Sequence, residues 1–170
     1  MGGSLIYLVS VSKDVTTAVP GPAGVTIRPA ERADLLAVLR IEKASFTQPW
    51  PYDAFEHFLG EPGFLVAVET GEAVVGYAVA DVTPTYGGDL GHLKDLAVHP
   101  HRRGQGIGAA VLSEALSALA VQGATSVKLE VRASNDSAMR LYRQFGFESL
   151  RRVTGYYADG EDAIVMLSEL

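Results

Sequence analysis

Two hydrophobic periods alternate along this chain, one typical of strands and one typical of helices. Period-two runs of apolar residues predict strands at 25–30, 64–70, 73–84, 92–100, 126–132, near 147–154 and at 162–168. Apolar residues at helical spacing predict helices at 33–46, 107–123 and 135–145, with a loop and short helix across 49–59. This order of elements indicates one α/β domain whose sheet has mixed strand directions.

The stretch VPGPAG, residues 19–24, precedes the first predicted strand. Proline fixes its own backbone angle and glycine loosens the chain, so this composition is typical of an extended linker. We therefore predict that residues 1–24 form a flexible N-terminal extension and that residues 25–170 form a single domain.

Composition narrows the range of partners. Of the 170 residues, 48% are hydrophobic and 20% are charged, which suits one domain with a substantial core. The formal net charge of −6 argues against nucleic acid or an anionic membrane as the main partner. Because the chain has no cysteine, disulfides, a thiol nucleophile and a cysteine-ligated zinc are excluded, and a cytoplasmic location is favoured. No apolar run reaches the roughly 18–20 residues that cross a bilayer.

The candidate chemistry begins in the turn HPHRRGQGIG, residues 99–108, between a predicted strand and the longest predicted helix. Amides of a first helical turn have no partner inside the helix, and together with the helix dipole they attract anions. Three alternating glycines leave those amides accessible, and two arginines add positive charge. The turn therefore favours a phosphate-binding site over the alternative, in which the glycines only form a tight turn and the arginines are solvated.

Two familiar phosphate sites fit this turn poorly. A nucleoside triphosphate loop of the Walker type needs Lys and then Ser or Thr after its last glycine, and Ala109 and Ala110 stand there instead. The letters GQGIGA satisfy the dinucleotide pattern, and Glu130 follows at roughly the distance of a ribose-binding acid. However, HPHRR separates these glycines from their strand, and several other elements precede the turn, whereas a dinucleotide turn opens its fold.

The same turn resembles the coenzyme A signature of the GNAT superfamily of acetyl-coenzyme A dependent N-acetyltransferases, R/Q-x-x-G-x-G/A, here RGQGIG. The segments LEVRASNDSAMRLYRQFGF (129–147) and GYYADGEDAIVM (155–166) are similar to the RimI-like branch of protein N-terminal α-acetyltransferases, especially its archaeal relatives. The resemblance runs from about Val25 to the end of the chain, and residues 1–24 fall outside it.

This resemblance implies the GNAT (acyl-CoA N-acyltransferase) fold, an α/β architecture whose central mixed, twisted sheet opens as a V between its fourth and fifth strands and is flanked by helices. The two strands are HLKDLAV and SVKLEVR here. In the family, acetyl-CoA lies in the split, with its pantetheine arm on the fourth strand and its pyrophosphate on the turn. The cofactor-binding residues implied in this way are Leu96, Ala97, Val98, Arg103, Gly104, Gln105, Gly106, Ile107, Gly108, Ala109, Asn135 and Tyr142.

Three side chains are candidates for catalysis. Glu130 shares one side of its strand with Lys128, where a salt-bridged surface residue is the alternative to the general base that the family carries at this glutamate. His92 is the second candidate base, because histidine titrates near neutrality and archaeal relatives have a similarly placed Gly-His pair; a lone exposed histidine is, however, commonly incidental. The resemblance makes Tyr142 the general acid for the sulfur of coenzyme A, with packing against apolar neighbours as the alternative.

Asn135 and the histidine pair of the turn have simpler explanations. Asn135 suits a helix cap on its own, and the resemblance also implies a place for it beside the pantetheine arm. His99 and His101 lack an obvious further ligand, so we predict no metal.

Four aromatic residues are candidates for binding the acceptor. The resemblance implies that Trp50 and Tyr52 form one wall of a peptide groove and that Tyr156 and Tyr157 form the other. The alternatives are core packing for the first pair and an ordinary β-hairpin for the second. Acidic residues at 159–162 would also attract a positively charged N-terminus.

The resemblance implies an enzyme that transfers acetyl from acetyl-CoA to the α-amino group of a protein, with a ribosomal protein or nascent chains as acceptors. Acetylation of lysine or of a small amine is the nearest alternative. An alternative from another class is a non-catalytic acyl-CoA-binding module that regulates a partner. The presence of both Glu130 and Tyr142 argues against that module.

Overall fold

An eight-stranded mixed sheet organises the computed structural model, which describes residues 19–22 and 24–170. Its strands are β1 (Val19–Pro20), β2 (Val25–Pro29), β3 (Leu65–Glu69), β4 (Val74–Thr83), β5 (Asp89–Val98), β6 (Ala124–Arg132), β7 (Glu148–Val153) and β8 (Ala163–Glu169), in the spatial order β1-β2-β3-β4-β5-β6-β8-β7. The helices are α1 (Leu35–Ser45), α2 (Tyr52–His57), α3 (Ile107–Val121) and α4 (Asp136–Gln144), with single 3-10 turns at Arg32–Asp34 and Pro100–Arg102. The predicted order of strands and helices is confirmed.

The sheet splits between β5 and β6, the one parallel pair among its described strands. Their pairing ends at Leu93 and Leu129, although β5 continues to Val98 and β6 to Arg132. Beyond that point each strand pairs only with its outer neighbour, β4 or β8. The V-shaped opening predicted between the fourth and fifth strands is therefore confirmed, if the two-residue β1 is left out of the count.

A β-bulge at Lys94 lies at the start of this split. Val79 pairs with Asp95 and Ala80 pairs with Leu93, so Lys94 has no partner on β4. In a regular strand Leu93 and Asp95 would share a face, because side chains alternate. The extra residue reverses the alternation, so that Leu93 packs under α3 while Asp95 lies on the opposite face. The bulge thereby puts Asp95 on the same face as His92.

Each face of the sheet carries its own core. The first core joins the sheet to α3 and α4 and is formed mainly by aliphatic side chains, including Leu93, Ile107, Leu112, Leu119, Leu129 and Met166. The second core joins the sheet to α1 and α2 and contains Leu35, Val38, Ile41, Phe55, Phe64, Val66, Tyr77 and Val79. Both cores reach the split strand β5, which they hold from opposite sides.

The described part of the N-terminal segment joins the sheet. Val19–Pro20 pair with β2, so the sheet extends into the stretch that composition assigns to a linker. Residues 1–18, which form the rest of the predicted extension, lie outside the described residues. Among the helices described, none combines the length and the apolar character that crossing a bilayer requires.

Candidate functional site

The turn before α3 presents a row of amides without protein acceptors. From Gly104 to Ala109 no backbone N–H donates a hydrogen bond to any residue that the structure describes; the first amide of α3 with a partner is that of Ala110, which bonds the Gly106 carbonyl at 3.1 Å. Gly106 caps the helix with φ 81°, and Gly104 has φ 73°, both in the left-handed region that favours glycine. Residues 103–106 are exposed. The backbone here has the form of an anion site.

The two arginines of the turn are occupied in holding it. Arg103 donates from Nε to the Val98 carbonyl at 3.1 Å and from its guanidinium to Ser45 Oγ at 3.0 Å. Arg102 donates to Gln105 Oε1 at 3.0 Å and forms an ion pair with Glu69. These contacts tie the turn to β5, α1 and β3, so the side chains fix its shape while the amides stay free.

The far half of β5 offers a second row of backbone groups. Leu96, Ala97 and Val98 pair with β4 on one side and, past the split, with none of the described strands on the other. Backbone groups on an open strand edge are free to pair with an extended ligand. The predicted pantetheine-binding residues therefore lie along one wall of the split.

The two candidate bases are in contact. His92 on β5 and Glu130 on β6 approach to 2.7 Å between Nε2 and Oε2, and both side chains are largely buried. The hydrogen bond from His92 lowers the pKa of the Glu130 carboxyl below its ordinary value, although partial burial opposes the shift. Lys128 Nζ lies 3.7 Å from Glu130 Oε1, which confirms that these two side chains share one side of β6. The two residues that the sequence suggested as alternative bases therefore form one hydrogen-bonded pair.

Asn135 is the N-cap of α4, and Tyr142 lies within the helix. Tyr142 is 8% exposed and packs edge-on against Phe147, with 5.8 Å between ring centroids. Burial, and after it the charge of Asp95, raises the pKa of Tyr142, so the phenol is neutral at physiological pH. Asn135 accepts a hydrogen bond at its side chain from the Ala138 amide at 3.2 Å, which confirms its predicted role as the helix cap.

The loop between β7 and β8 carries Tyr156 and Tyr157, whose rings lie 5.0 Å apart and nearly perpendicular. Arg132 lies under Tyr157, with its guanidinium carbon 4.1 Å from the ring centroid. Partial burial, and after it the charge of Glu130, raises the pKa of Tyr156. Burial raises the pKa of Tyr157 to about 12.

The acidic residues of that loop are already paired. Arg132 bonds Asp159 at 2.8 Å and Glu161 at 3.0 Å, and Arg152 bonds Asp162 at 2.7 Å. We expected these carboxylates to attract a positive N-terminus, and in the structure the three of them are bonded to two arginines that shape the loop.

Trp50 and Tyr52 pack at the opposite wall. The Trp50 ring stacks on Phe58 at 5.9 Å and lies 5.4 Å from Phe55, and its amide donates to Glu42 Oε1 at 2.9 Å. Both Trp50 and Tyr52 are half-buried against the second core. The packing alternative is therefore confirmed for these residues, and each keeps a part of its surface exposed.

A polar cluster below the split, which the sequence did not predict, is formed by the buried Glu42 and Tyr77 and the half-buried Asp95. The Tyr77 hydroxyl contacts Glu42 Oε2 closely and lies 3.3 Å from Asp95 Oδ2. Two signals were present in the sequence. Glu42 continues the apolar face that Leu35 and Val38 begin on α1, and Asp95 directly precedes the apolar end of its strand, residues 96–98. No rule of alternation brings them together, because the bulge decides which way Asp95 faces.

The two histidines of the turn, His99 and His101, are in contact with each other. His99 accepts from the His101 amide at Nδ1, 3.1 Å away, so this histidine caps the short helical turn. Over residues 19–22 and 24–170, no group of three or more His, Cys, Asp or Glu side chains is arranged to hold a metal ion.

Several known proteins are similar to this chain in sequence. The model of the Acetyltransferase (GNAT) family matches residues 35–147. An N-alpha-acetyltransferase of Sulfurisphaera tokodaii is 35% identical over 155 residues, which cover 85% of this chain and 92% of that protein. The ribosomal protein bS18-alanine N-acetyltransferase of Escherichia coli K12 is 33% identical over 144 residues, which cover 83% of this chain and 95% of that protein.

Solved structures share the fold as well. Ard1 from Thermoplasma volcanium has a TM-score of 0.78 at 30% identity, covering 86% of this chain and 98% of that one. The ribosomal-protein-S18-alanine N-acetyltransferase from E. coli has a TM-score of 0.72 at 31% identity, with 85% and 93% covered. The NatC complex bound to Gag peptide and CoA has a TM-score of 0.80 at 22% identity, covering 86% of this chain and 98% of that one, and is a likeness of fold alone.

Proposed function

This chain belongs to the GNAT family of acetyltransferases, and on that premise we propose that it transfers the acetyl group of acetyl-CoA to the α-amino group of a protein by direct attack. The acceptors are the N-termini of ribosomal or nascent proteins. The observation that carries the proposal is the His92–Glu130 pair, which lies where β5 and β6 begin to part. An acceptor amine and a thioester meet at that point if the coenzyme occupies the split.

The residues of the split fit the coenzyme. Its diphosphate takes the free amides of Gly104 to Ala109, because these donors have no protein acceptor and sit at a helix N-terminus. Its pantetheine arm pairs with the open edge of β5 at Leu96, Ala97 and Val98. The coenzyme supplies an activated acetyl thioester, and the protein supplies its orientation.

The basic pair suits an amine that is easy to deprotonate. An α-amino group with a pKa near 8 is about one-tenth neutral at pH 7, whereas lysine, near 10.4, is neutral in less than about one molecule in a thousand. The lowered pKa of Glu130 makes this carboxylate a weak base on its own. It holds and orients His92, and the pair takes the proton that the amine loses as it attacks. The weakness of this base favours an N-terminal acceptor over a lysine.

Tyr142 assists the leaving sulfur. A buried neutral phenol is a hydrogen-bond donor at every physiological pH. Full proton transfer from a phenol to a thiolate is unfavourable. Even the unperturbed pKa values, near 10 and 8.5, correspond to a free-energy cost of about 2 kcal/mol. We therefore assign Tyr142 the stabilisation of the departing thiolate by hydrogen bond. Asn135, which caps the same helix, is proposed to contact the pantetheine arm.

The acceptor enters between the two aromatic walls. Tyr156 and Tyr157 stand on a loop that Arg132 holds from below, and Trp50 and Tyr52 face the groove from the α1–α2 side. In this arrangement the tyrosine hydroxyls bind the peptide backbone near its first residues, and Glu130 attracts the N-terminal ammonium group.

Mass spectrometry of the acetylated product tests this function. The chain is incubated with acetyl-CoA and peptides that begin with Ala, Ser, Met-Glu or Met-Leu, each with one internal lysine. The matched control is the same peptide with its N-terminus blocked. We expect acetyl on the α-amino group and none on the blocked peptide. Acetyl on the lysine of the blocked peptide would instead indicate a lysine acetyltransferase, and binding of acetyl-CoA without any product would indicate a regulatory module.

A further inference from the structure

The polar cluster of Glu42, Tyr77 and Asp95 has no part in the chemistry described so far. Tyr77 is fully buried, Glu42 is 2% exposed and Asp95 is half-buried. One phenolic hydroxyl lies between the two carboxyl groups, in close contact with Glu42 Oε2 and 3.3 Å from Asp95 Oδ2. Among the described residues, no lysine, arginine or histidine forms an ion pair with either carboxyl. The cluster must therefore be balanced by protons.

A count of hydrogens fixes how many protons are needed. A phenol has one hydrogen to donate, and its oxygen accepts a second hydrogen bond. Both contacts of Tyr77 are hydrogen bonds only if one carboxyl is protonated and donates to the phenolic oxygen. Two ionised carboxylates would leave one of them facing a lone pair in a buried site, which is strongly unfavourable.

The surroundings decide which carboxyl holds the proton. Glu42 accepts two hydrogen bonds, from the Tyr77 hydroxyl and from the Trp50 amide, and both stabilise its anion. Asp95 lies at the end of the chain of hydrogen bonds, next to the negative Glu42. Burial and that neighbouring charge raise the pKa of Asp95 well above its ordinary value. The consistent arrangement is a chain in which Asp95 donates to Tyr77 and Tyr77 donates to Glu42.

Asp95 also borders the reacting groups. The bulge at Lys94 turns it to the face that holds His92, and a negative charge on Asp95, after burial, would raise the pKa of Tyr142. The titratable groups that face Asp95 and Tyr142 are Glu42 from α1, Tyr77 from β4 and Tyr157 from the β7–β8 loop. An ionised Asp95 would oppose negative charge on the leaving sulfur, and a neutral Asp95 does not.

We propose that Asp95 is protonated in the working protein and is a positioning residue that acts through Tyr142, keeping the Asp95 end of the cluster uncharged where the thiolate leaves. This proposal rests on the proposed acetyl transfer for its consequence, whereas the protonation itself is measured without turnover. The proton stays on Asp95 throughout the reaction, so no group is transferred to or from it.

Infrared spectroscopy of protein labelled with ¹³C-carboxyl aspartate tests the protonation directly. We expect one aspartate carbonyl band of the protonated form at pH 7, which disappears in Asp95→Asn and shifts in Tyr77→Phe, where the acceptor of its hydrogen bond is lost. Asp81→Asn is the matched control, because Asp81 lies on the neighbouring strand 3.7 Å from Lys94 Nζ and should leave the band unchanged. Absence of the band in the wild-type protein, or its persistence in Asp95→Asn, would overturn the proposal whether or not the protein acetylates peptides.

The pH dependence of turnover tests the consequence. Asparagine resembles a protonated aspartate in shape and charge, so the ratio of the kcat of Asp95→Asn to the wild-type kcat at pH 7 serves as the reference value. As the pH rises and Asp95 ionises, the ratio of the variant's kcat to the wild-type kcat should increase. A merely structural role would give a ratio independent of pH, and that result would remove the link to Tyr142 even if the infrared band is present.

Discussion

The turn before α3 and the floor of the split are built from different kinds of groups. The floor is formed by His92, Glu130, Tyr142 and the cluster of Glu42, Tyr77 and Asp95. The turn, residues 103–109, uses backbone amides of consecutive residues, so its function depends on local conformation and on few side chains. The floor uses side chains from β4, β5, β6, α1 and α4, which are far apart in sequence and act through shared protons. We therefore expect changes in the turn to affect mainly the affinity for the coenzyme and changes in the floor to affect mainly the rate and its pH dependence.

The largest effect is expected from Glu130→Gln. Loss of a general base lowers kcat by about 10²- to 10⁴-fold, and the loss should be partly recovered toward pH 9, where the amine is already deprotonated. Measurement of kcat against pH checks this expectation. Lys128→Gln is the control, because Lys128 is 3.7 Å from Glu130 and belongs to the same strand face.

The pairing of Glu130 with His92 predicts how two losses combine. If the two side chains act as a unit, the double variant Glu130→Gln with His92→Ala should be about as slow as the slower single variant. Losses that multiply would contradict the shared-proton description and would divide the floor into independent parts.

Tyr142→Phe is expected to lower kcat by about 10- to 100-fold, because a hydrogen bond to a charged group contributes about 1.5–3 kcal/mol. KM for acetyl-CoA should change little, since the phenol acts on the sulfur as it departs. Tyr86→Phe, at a fully exposed tyrosine, is the control. An unchanged rate in Tyr142→Phe would remove its assigned role and leave only packing.

Gly106→Ala tests the other side of the comparison. The residue has φ 81°, a conformation that costs a residue with a side chain about 1–2 kcal/mol, so the turn should lose that much in its affinity for the coenzyme while kcat at saturation is kept. Gly108→Ala is the matched control, because a Cβ there makes only ordinary contacts of 3.5 Å with Leu141 and 3.6 Å with Val98. Calorimetric titration with CoA separates the two variants. A loss of kcat without loss of affinity in Gly106→Ala would erase the distinction between the two regions.

The smallest effect concerns the pH dependence of stability, for which the two carboxyls of the floor have opposite signs. The folded-state pKa of Glu130 is lowered, so its stabilisation is present above the unfolded value near 4.3 and is lost as the pH falls through the lowered pKa. The folded-state pKa of Asp95 is raised, so its contribution is complete below about 3.9 and is lost as the pH rises through the raised pKa.

Thermal unfolding across pH distinguishes these contributions. Glu130→Gln should flatten the loss of stability on the acid side, and Asp95→Asn should flatten the loss on the alkaline side and stabilise the protein there. If both variants flattened the loss of stability on the same side of the pH profile, one of the two carboxyls would have the opposite charge state from the one described.

The split strand pair was predicted through the family resemblance. The order of strands and helices and the backbone form of the turn before α3 were determined by the sequence itself. Each of these depends on local information: apolar periodicity, the backbone freedom of Gly104 and Gly106, and the cap that Asn135 forms three residues from its partner amide. Glu130, His92 and Tyr142 were identified one by one, through a resemblance that attaches to short motifs.

Only the tertiary structure decided how these side chains act on one another. The contact of His92 with Glu130 joins residues 38 positions apart, and the Tyr77 hydroxyl meets Glu42 from 35 positions away. The single unpaired Lys94 determines which face of β5 carries Asp95, and no periodicity in the sequence marks such a bulge. Proton sharing depends on distances of a few ångströms between strands and helices, and those distances exist only after the sheet has paired and both cores have packed.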